Sequence, residues 1–167
     1  MNAVLLPGNS ARHREWVEAL KVAVSPQFQI VKALAYLHWQ TGEEKADVDY
    51  ELAIAKSSVT ELDPYMIIGK SIGTVIAVRG VAEGVLRPTK LILLGIPING
   101  GAPKELFAQW LRHINAPVVV VQNTHDPLGS FADVKAAFRG CGEAISFVEL
   151  PGDTHDYLDF EAITKLI

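Results

Sequence analysis

The sequence has 167 residues, a length that suits one domain with a single hydrophobic core. Apolar residues make up 49% of the chain and charged residues 20%, a balance that is typical of globular proteins and excludes a disordered chain. The net charge is −4 and the basic residues are scattered, which argues against a nucleic-acid partner and against a basic membrane-binding patch. We therefore predict one domain over residues 1–167.

Cysteine content and hydropathy indicate the cellular compartment in which we expect the protein. Cys141 is the only cysteine, so no disulfide can form within the chain, and this suits a reducing compartment. No apolar segment approaches the length of a membrane span, and the short apolar run before Pro7 has no basic region ahead of it, so we expect no signal peptide. The sequence predicts a cytoplasmic enzyme or binding protein, and it predicts no particular oligomeric state.

Short apolar runs that end at turn residues alternate along the chain with segments of helical spacing. The apolar runs predict strands at 2–6, 28–34, from 65 onward, 89–94, 116–122 and 144–150. The other segments predict helices at 14–24, 46–60, from the end of the third strand to about 83, 103–114, 131–139 and from 156 to the end, with a polar and aromatic loop at 36–44. This alternation predicts a three-layer αβα sandwich, with a mostly parallel six-stranded sheet in the order 2-1-3-4-5-6.

One corner of this predicted fold carries a distinctive motif. The apolar run 65–68 passes into a helical segment through Gly69-Lys70-Ser71-Ile72-Gly73, which leaves almost no room to turn. A serine at such a corner is forced onto a cramped turn with its hydroxyl above the sheet, and side chains at positions 69 and 73 would collide there. A phosphate-binding P-loop would need a glycine five residues before Gly69, where Pro64 stands. The motif alone also fits a strand–helix junction without chemistry.

Two later loops carry groups that could activate the Ser71 hydroxyl, which is a weak nucleophile until a base takes its proton. Asp126 follows the fifth strand and His155 follows the sixth, so both are expected at the same sheet edge as Ser71. Alone, Asp126 before Pro127 fits a turn residue, and His155 fits a polar loop residue. The joint pattern predicts a triad of Ser71, His155 and Asp126, in which Asp126 orients the histidine.

Other residues near these loops have simpler explanations. His125 precedes the acid in the same loop, and we expect its side chain to point elsewhere. Asp153 and Asp156 are expected to cap and charge the start of the last helix. Cys141 lies on no motif and is expected to be a small buried apolar residue.

The motif at Ser71 and the order serine, aspartate, histidine resemble the alpha/beta-hydrolase fold superfamily, in particular a small esterase-like member without a lid. The resemblance covers essentially the whole chain, although two N-terminal strands of larger members are missing. It implies an oxyanion hole made by the backbone N–H groups of Ile72, after the serine, and of Asn9, in the loop after the first strand. Pro7 replaces the histidine that the family carries in that loop.

Several residues of neighbouring loops could contact a substrate. We predict that Lys70, Trp39, Pro97, Ile98 and Leu128 line the site, although each also fits ordinary packing. Lys70 could attract an acidic substrate group, but the interpretation that we favour is a solvated amine at the edge of the sheet.

These observations predict a serine hydrolase that cleaves a small carboxylic ester or thioester through an acyl-enzyme intermediate. Its partner would be a small-molecule acyl substrate, and the chemistry requires no metal and no organic cofactor. The alternative is a non-catalytic binding or interaction protein on a hydrolase scaffold, since a fold does not fix a function. The complete triad pattern favours the enzyme.

Overall fold

A computed structural model describes residues 1–167 and shows one six-stranded sheet. All strand pairs are parallel and the strand order is β2-β1-β3-β4-β5-β6, so the predicted topology is confirmed. The strands are β1 (Asn2–Leu6), β2 (Val31–Ala33), β3 (Tyr65–Lys70), β4 (Leu91–Leu94), β5 (Val118–Asn123) and β6 (Ile145–Leu150).

Seven α-helices connect and cover these strands. They are α1 (His13–Val24), α2 (His38–Thr41), α3 (Val48–Val59), α4 (Ile72–Ala82), α5 (Lys104–Leu111), α6 (Phe131–Phe138) and α7 (Phe160–Thr164). Capping side chains set some of the starts: Asp47 accepts from the first N–H groups of α3, and Ser130 does the same for α6. None of the seven combines the length and the apolar character that crossing a bilayer requires.

The helices pack on both faces of the sheet, which confirms the predicted three-layer arrangement. Alternate residues of β3 point to opposite faces: Ile67 belongs to one hydrophobic cluster, whereas Met66 and Ile68 belong to the other. The first cluster includes residues of α3, α4, α5 and α6, and the second includes residues of α1 and α7. Burial on both faces explains why β3 and β4 are continuous apolar runs.

The structure differs from the sequence prediction at three places. β2 is three residues long and partly exposed, and the predicted loop at 36–44 contains the short helix α2. The last helix begins at Phe160 and is capped by Asp159, so the prediction that Asp153 and Asp156 cap it was wrong. The physical reason is Tyr157, whose φ of 56° interrupts helical geometry.

The corner between β3 and α4 is a single residue. Ser71 has φ 54° and ψ −118°, a conformation that non-glycine residues rarely adopt, and its N–H donates to the Leu94 carbonyl of β4. A Cβ on Gly69 would lie 2.7 Å from the Gly73 oxygen, and one on Gly73 would collide with the Leu6 oxygen of β1. The prediction that side chains would collide at both positions is confirmed, and the corner is held in a cramped turn.

Gly73→Ala should therefore destabilise the fold. The added methyl group meets backbone oxygens rather than a flexible side chain, so we expect the free energy of unfolding to fall by about 1–3 kcal/mol or more. Urea denaturation measures this change. Gly100→Ala is the control, because a Cβ at Gly100 meets nothing within 4 Å; equal stability of the two variants would contradict the steric account.

Candidate active site

Asp126 and His155 form a close pair at the carboxyl edge of the sheet. His155 Nδ1 lies 2.7 Å from Asp126 Oδ2 and 2.9 Å from Oδ1. The Asp126 side chain has no exposed surface, and that of His155 is 16% exposed. With Nδ1 donating to the carboxylate, Nε2 is the acceptor nitrogen, and this buried atom has no hydrogen-bond partner. The imidazole is therefore arranged to take a proton at Nε2.

Ser71 is connected to this pair through the end of β4. Its N–H donates to the Leu94 carbonyl, and the following residue, Gly95, touches the imidazole. A Cβ on Gly95 would stand 2.8 Å from His155 Cε1 and 2.5 Å from the Tyr157 ring, and Gly95 has φ 65°. Only glycine tolerates both this positive φ and the close approach of the two rings at low energetic cost. No hydrogen bond joins the Ser71 hydroxyl to His155 Nε2 in this structure.

Tyr157 is a part of the site that the sequence prediction missed. Its hydroxyl donates to Asp126 Oδ2 at 2.6 Å and accepts from the N–H of Asn123 at 3.0 Å. Burial, followed by the hydrogen bond to Asp126, raises the pKa of Tyr157, so the hydroxyl stays protonated and keeps donating. The Leu128 N–H also donates to Asp126, at 2.8 Å. The only sequence signal for Tyr157 was its position two residues after His155.

The two loops that carry the acid and the histidine are tied to each other. The Asn123 side-chain amide donates to the carbonyl of Thr154, and the His125 N–H donates to the carbonyl of Gly152. Both bonds lie on the N-terminal side of Asp126 and of His155, and they hold the two loops together there. The His125 side chain is exposed and makes no hydrogen bond, so it points away as expected.

The loop after β1 is held by three aromatic donors from the segment that follows β2. Tyr36 donates its hydroxyl to the Pro7 carbonyl at 2.8 Å. The Asn9 carbonyl accepts from His38 Nε2 at 2.6 Å and from Trp39 Nε1 at 2.8 Å. We call these three residues the aromatic clamp. Trp39 therefore has a place in the site that differs from the predicted one, since it does not line the cavity at Ser71.

The Asn9 side chain strengthens the same connection. Its Nδ2 donates to the Glu44 carbonyl and its Oδ1 accepts from the Ala46 N–H. The Asn9 backbone N–H takes part in none of the hydrogen bonds within the chain, and it is free to bind another acceptor. The N–H of Ile72 is the first of α4, a position that lacks a partner within the helix.

A cavity of about 490 Å³ opens beside the serine. Asn9, Ser71 and Ile72 all line it, together with Pro97 and Leu128 from the predicted set. Ile98 is buried and packs against Gly129, outside the cavity. The remaining wall is mostly apolar and carries two basic residues: Lys45, Ala46, Val48, Val75, Arg79, Gly100, Gly101, Ala102 and Trp110.

Two of the sequence-based expectations for Lys70 are wrong. It is fully buried, so it is not a solvated amine, and it does not line the cavity at Ser71. Its side chain turns to the α1 face of the sheet, where Nζ lies 2.9 Å from His13 Nε2 and 5.4 Å from the centroid of the Trp16 ring. The sequence did not reveal this contact because His13 lies 57 residues earlier in the chain.

A family model described as an alpha/beta hydrolase domain matches residues 43–162, which is well over half of the chain. The chain belongs to the alpha/beta hydrolase family. A sequence comparison of this alpha/beta hydrolase with curated proteins gives no match.

Solved structures share the fold of this alpha/beta hydrolase at low sequence identity. A bromoperoxidase from Bacillus anthracis matches with a TM-score of 0.71 and 12% identity over 98% of this chain and 88% of its own. Est1E from Butyrivibrio proteoclasticus, solved with ferulic acid, gives 0.73 and 14% over 99% and 85%. The Pyrococcus furiosus esterase Pf2001 gives 0.74 and 15% over 99% and 77%. The fold of this chain is thus found in proteins of more than one described activity.

Tyr157→Phe should destabilise this site. The change leaves the Asn123 N–H without its acceptor and removes one donor from a buried carboxylate, so we expect a loss of about 1–3 kcal/mol in the free energy of unfolding. Urea denaturation measures the loss. Tyr50→Phe, at an exposed position, is the control. Unchanged stability of Tyr157→Phe would mean that the hydroxyl does not hold Asp126.

Proposed function

We propose that this alpha/beta hydrolase is a serine hydrolase that cleaves a small carboxylic ester or thioester through a Ser71–His155–Asp126 triad. The observation that carries the proposal is the His155–Asp126 contact, which leaves the buried Nε2 atom unpartnered at the same sheet edge where Ser71 occupies a strained turn. A strained turn over an otherwise regular sheet is typical of a site where geometry serves chemistry.

In the first step His155 Nε2 takes the proton of Ser71 as Oγ attacks the substrate carbonyl carbon. A bond forms between Oγ and that carbon, and the carbonyl oxygen becomes an oxyanion. The imidazole becomes positively charged, and the buried Asp126 carboxylate next to Nδ1 stabilises that charge. The tetrahedral intermediate then collapses, and the leaving alcohol or thiol takes the proton from Nε2.

The Asn9 and Ile72 N–H groups would hold the oxyanion. Both residues line the cavity with Ser71, and the Asn9 N–H is not used elsewhere in the chain. The aromatic clamp supports this role, because two donors on the Asn9 carbonyl restrict the peptide group next to that N–H. Such a donor is worth ~3 kcal/mol of transition-state stabilisation when it is fixed in advance.

Water completes the cycle. His155 Nε2 removes a proton from a water molecule, the resulting hydroxide attacks the acyl carbon, and the bond to Ser71 Oγ breaks. The proton returns to Oγ through Nε2, and the carboxylic acid product leaves. The protein ends each cycle in its starting protonation state, so the reaction requires no other group.

The cavity supports an acyl substrate with an apolar chain. Ile72, Val75 and Arg79 lie on one face of α4 at spacings of three and four residues, and all three line the cavity. From Ile72 to Arg79 the helix rises roughly 10 Å, which allows a medium-length acyl chain to lie along it. The Arg79 guanidinium forms ion pairs with Asp49 and Glu83, each at 2.7 Å. Arg79 therefore closes the far end of the cavity with a cation that is already paired.

Ser71→Ala should abolish turnover of p-nitrophenyl acetate while the protein remains folded. We expect kcat to fall about 10⁴-fold or more, because the nucleophile is removed. Labelling by a fluorophosphonate probe should be lost as well. Ser57→Ala, at an exposed position of α3, is the control and should behave as the wild type. Wild-type protein that is folded but neither labelled nor active would instead favour the non-catalytic binding protein.

Val75→Phe should shorten the preferred acyl chain. The larger side chain fills the cavity part-way along α4, so kcat/KM should fall about tenfold or more for p-nitrophenyl octanoate and change little for the acetate. Steady-state kinetics over an acetate, butyrate and octanoate series measures the shift. Val22→Phe, at an exposed position of α1, is the control. An equal effect on every chain length would mean that the acyl chain binds elsewhere.

A further inference from the structure

The buried contact between Lys70 and His13 has no part in the mechanism above. Lys70 is the last residue of β3 and directly precedes Ser71, and it has no exposed surface. A buried lysine is unfavourable for stability unless its ammonium group gains specific partners, because it loses its hydration. Its partners here are His13 Nε2 at 2.9 Å and the face of the Trp16 ring.

The direction of the Lys70–His13 hydrogen bond follows from the protonation states. Burial lowers the pKa of Lys70 to about 8, while the carboxylates of Asp156 and Asp126 oppose this change and Arg12 adds to it. Burial and the Lys70 charge lower the pKa of His13 to about 4. At neutral pH the ammonium group of Lys70 therefore donates to Nε2 of a neutral imidazole, and the imidazole proton is on Nδ1.

The other edge of the His13 ring faces the loop after β1. A Cβ on Gly8 would collide with His13 Nδ1 and Cε1, so the ring lies directly against the Gly8 backbone. That backbone raises the pKa of His13, although Nδ1 has no hydrogen bond of good geometry. Gly8 precedes Asn9, whose N–H is the proposed oxyanion donor. The contacts thus run from Lys70, the residue before the nucleophile, through His13 to Gly8, the residue before that donor.

We propose that Lys70 and His13 are positioning residues that set the place of the Asn9 N–H relative to Ser71. The proposal rests on the proposed function, since it concerns the oxyanion hole of that reaction. The aromatic clamp holds the carbonyl side of the loop from one direction, and His13 supports it at Gly8 from another. Lys70 fixes the orientation of the His13 ring by bonding to Nε2.

A positioning role and a purely structural role predict opposite effects on stability. If Lys70 serves to position the loop after β1 and does not stabilise the fold, an apolar residue of similar length removes a buried charge. That replacement should raise the melting temperature. If the pair mainly stabilises the fold, the same replacement should lower it. Activity and stability measured on the same variant therefore separate the two roles.

The test compares Lys70→Met, His13→Phe and the double variant with wild type, using p-nitrophenyl acetate. We expect kcat to fall about 10- to 100-fold in each single variant with KM changed less than threefold, because a shift of the loop near 1 Å has effects of this size. The double variant should lose no more than the more affected single variant, since both changes break one line of contacts. Lys90→Met, at a partly buried lysine that binds the C-terminal carbonyls, is the matched control and should keep wild-type kcat.

A pH profile gives an independent readout. The charge-assisted bond from Lys70 weakens as the ammonium group loses its proton, so wild-type kcat should decline above about pH 8, and Lys70→Met should lack this decline. The charged groups that face Lys70 are Asp156, Asp126 and Arg12, with His13 neutral in this range.

The outcomes separate this proposal from the proposed function. If wild-type protein neither turns over esters nor reacts with a fluorophosphonate, the proposed function fails. If wild type is active and Lys70→Met keeps its kcat, or loses activity together with a lower melting temperature, the positioning role is overturned while the proposed function stands. Additive losses in the double variant would overturn it as well.

Discussion

The buried carboxylate of Asp126 accepts hydrogen bonds from three directions: from His155 Nδ1, from the Tyr157 hydroxyl and from the Leu128 N–H. A carboxylate without exposed surface is stable only when its lone pairs are occupied in this way. The three donors come from two loops, and the carboxylate therefore joins them. Because the Asp126 side chain cannot turn without losing these bonds, it also determines which way the imidazole of His155 faces.

A second constraint acts on the opposite side of the site. The start of α4 lies so close to the end of β1 that position 73 must be glycine, and this contact brings the loop after β1 next to Ser71. The aromatic clamp then fixes the loop from the segment after β2 through the carbonyls of Pro7 and Asn9. Four loops at the carboxyl edge are thus joined in two pairs by specific polar contacts. Asn9, Ser71 and Ile72 line the cavity at this edge.

Much of this arrangement could be predicted from the sequence, because it depends on local patterns. Apolar runs and turn residues gave the strands in their correct order, and Gly69 and Gly73 marked the corner at Ser71. The positions of Asp126 and His155 after the fifth and sixth strands predicted their contact, since parallel strands end at one edge.

The rest could not be predicted, because it depends on partners that are distant in the chain. Lys70 looked like a surface amine until His13 and Trp16 were found around its ammonium group. Trp39 looked like a wall of the substrate cavity, yet its indole N–H is used to hold the Asn9 carbonyl. The last helix starts later than its polar sequence suggested, because the Tyr157 carbonyl and hydroxyl are both bound by other parts of the fold.

A crystal structure of the protein after reaction with a fluorophosphonate tests the central claim most directly, since the bound phosphonyl group resembles the tetrahedral intermediate. The account predicts a covalent bond at Ser71 Oγ, a phosphonyl oxygen about 3 Å from the N–H groups of both Asn9 and Ile72, and His155 Nε2 within hydrogen-bond distance of Oγ. A modified residue other than Ser71, or a His155 ring turned away from a modified Ser71, would contradict it.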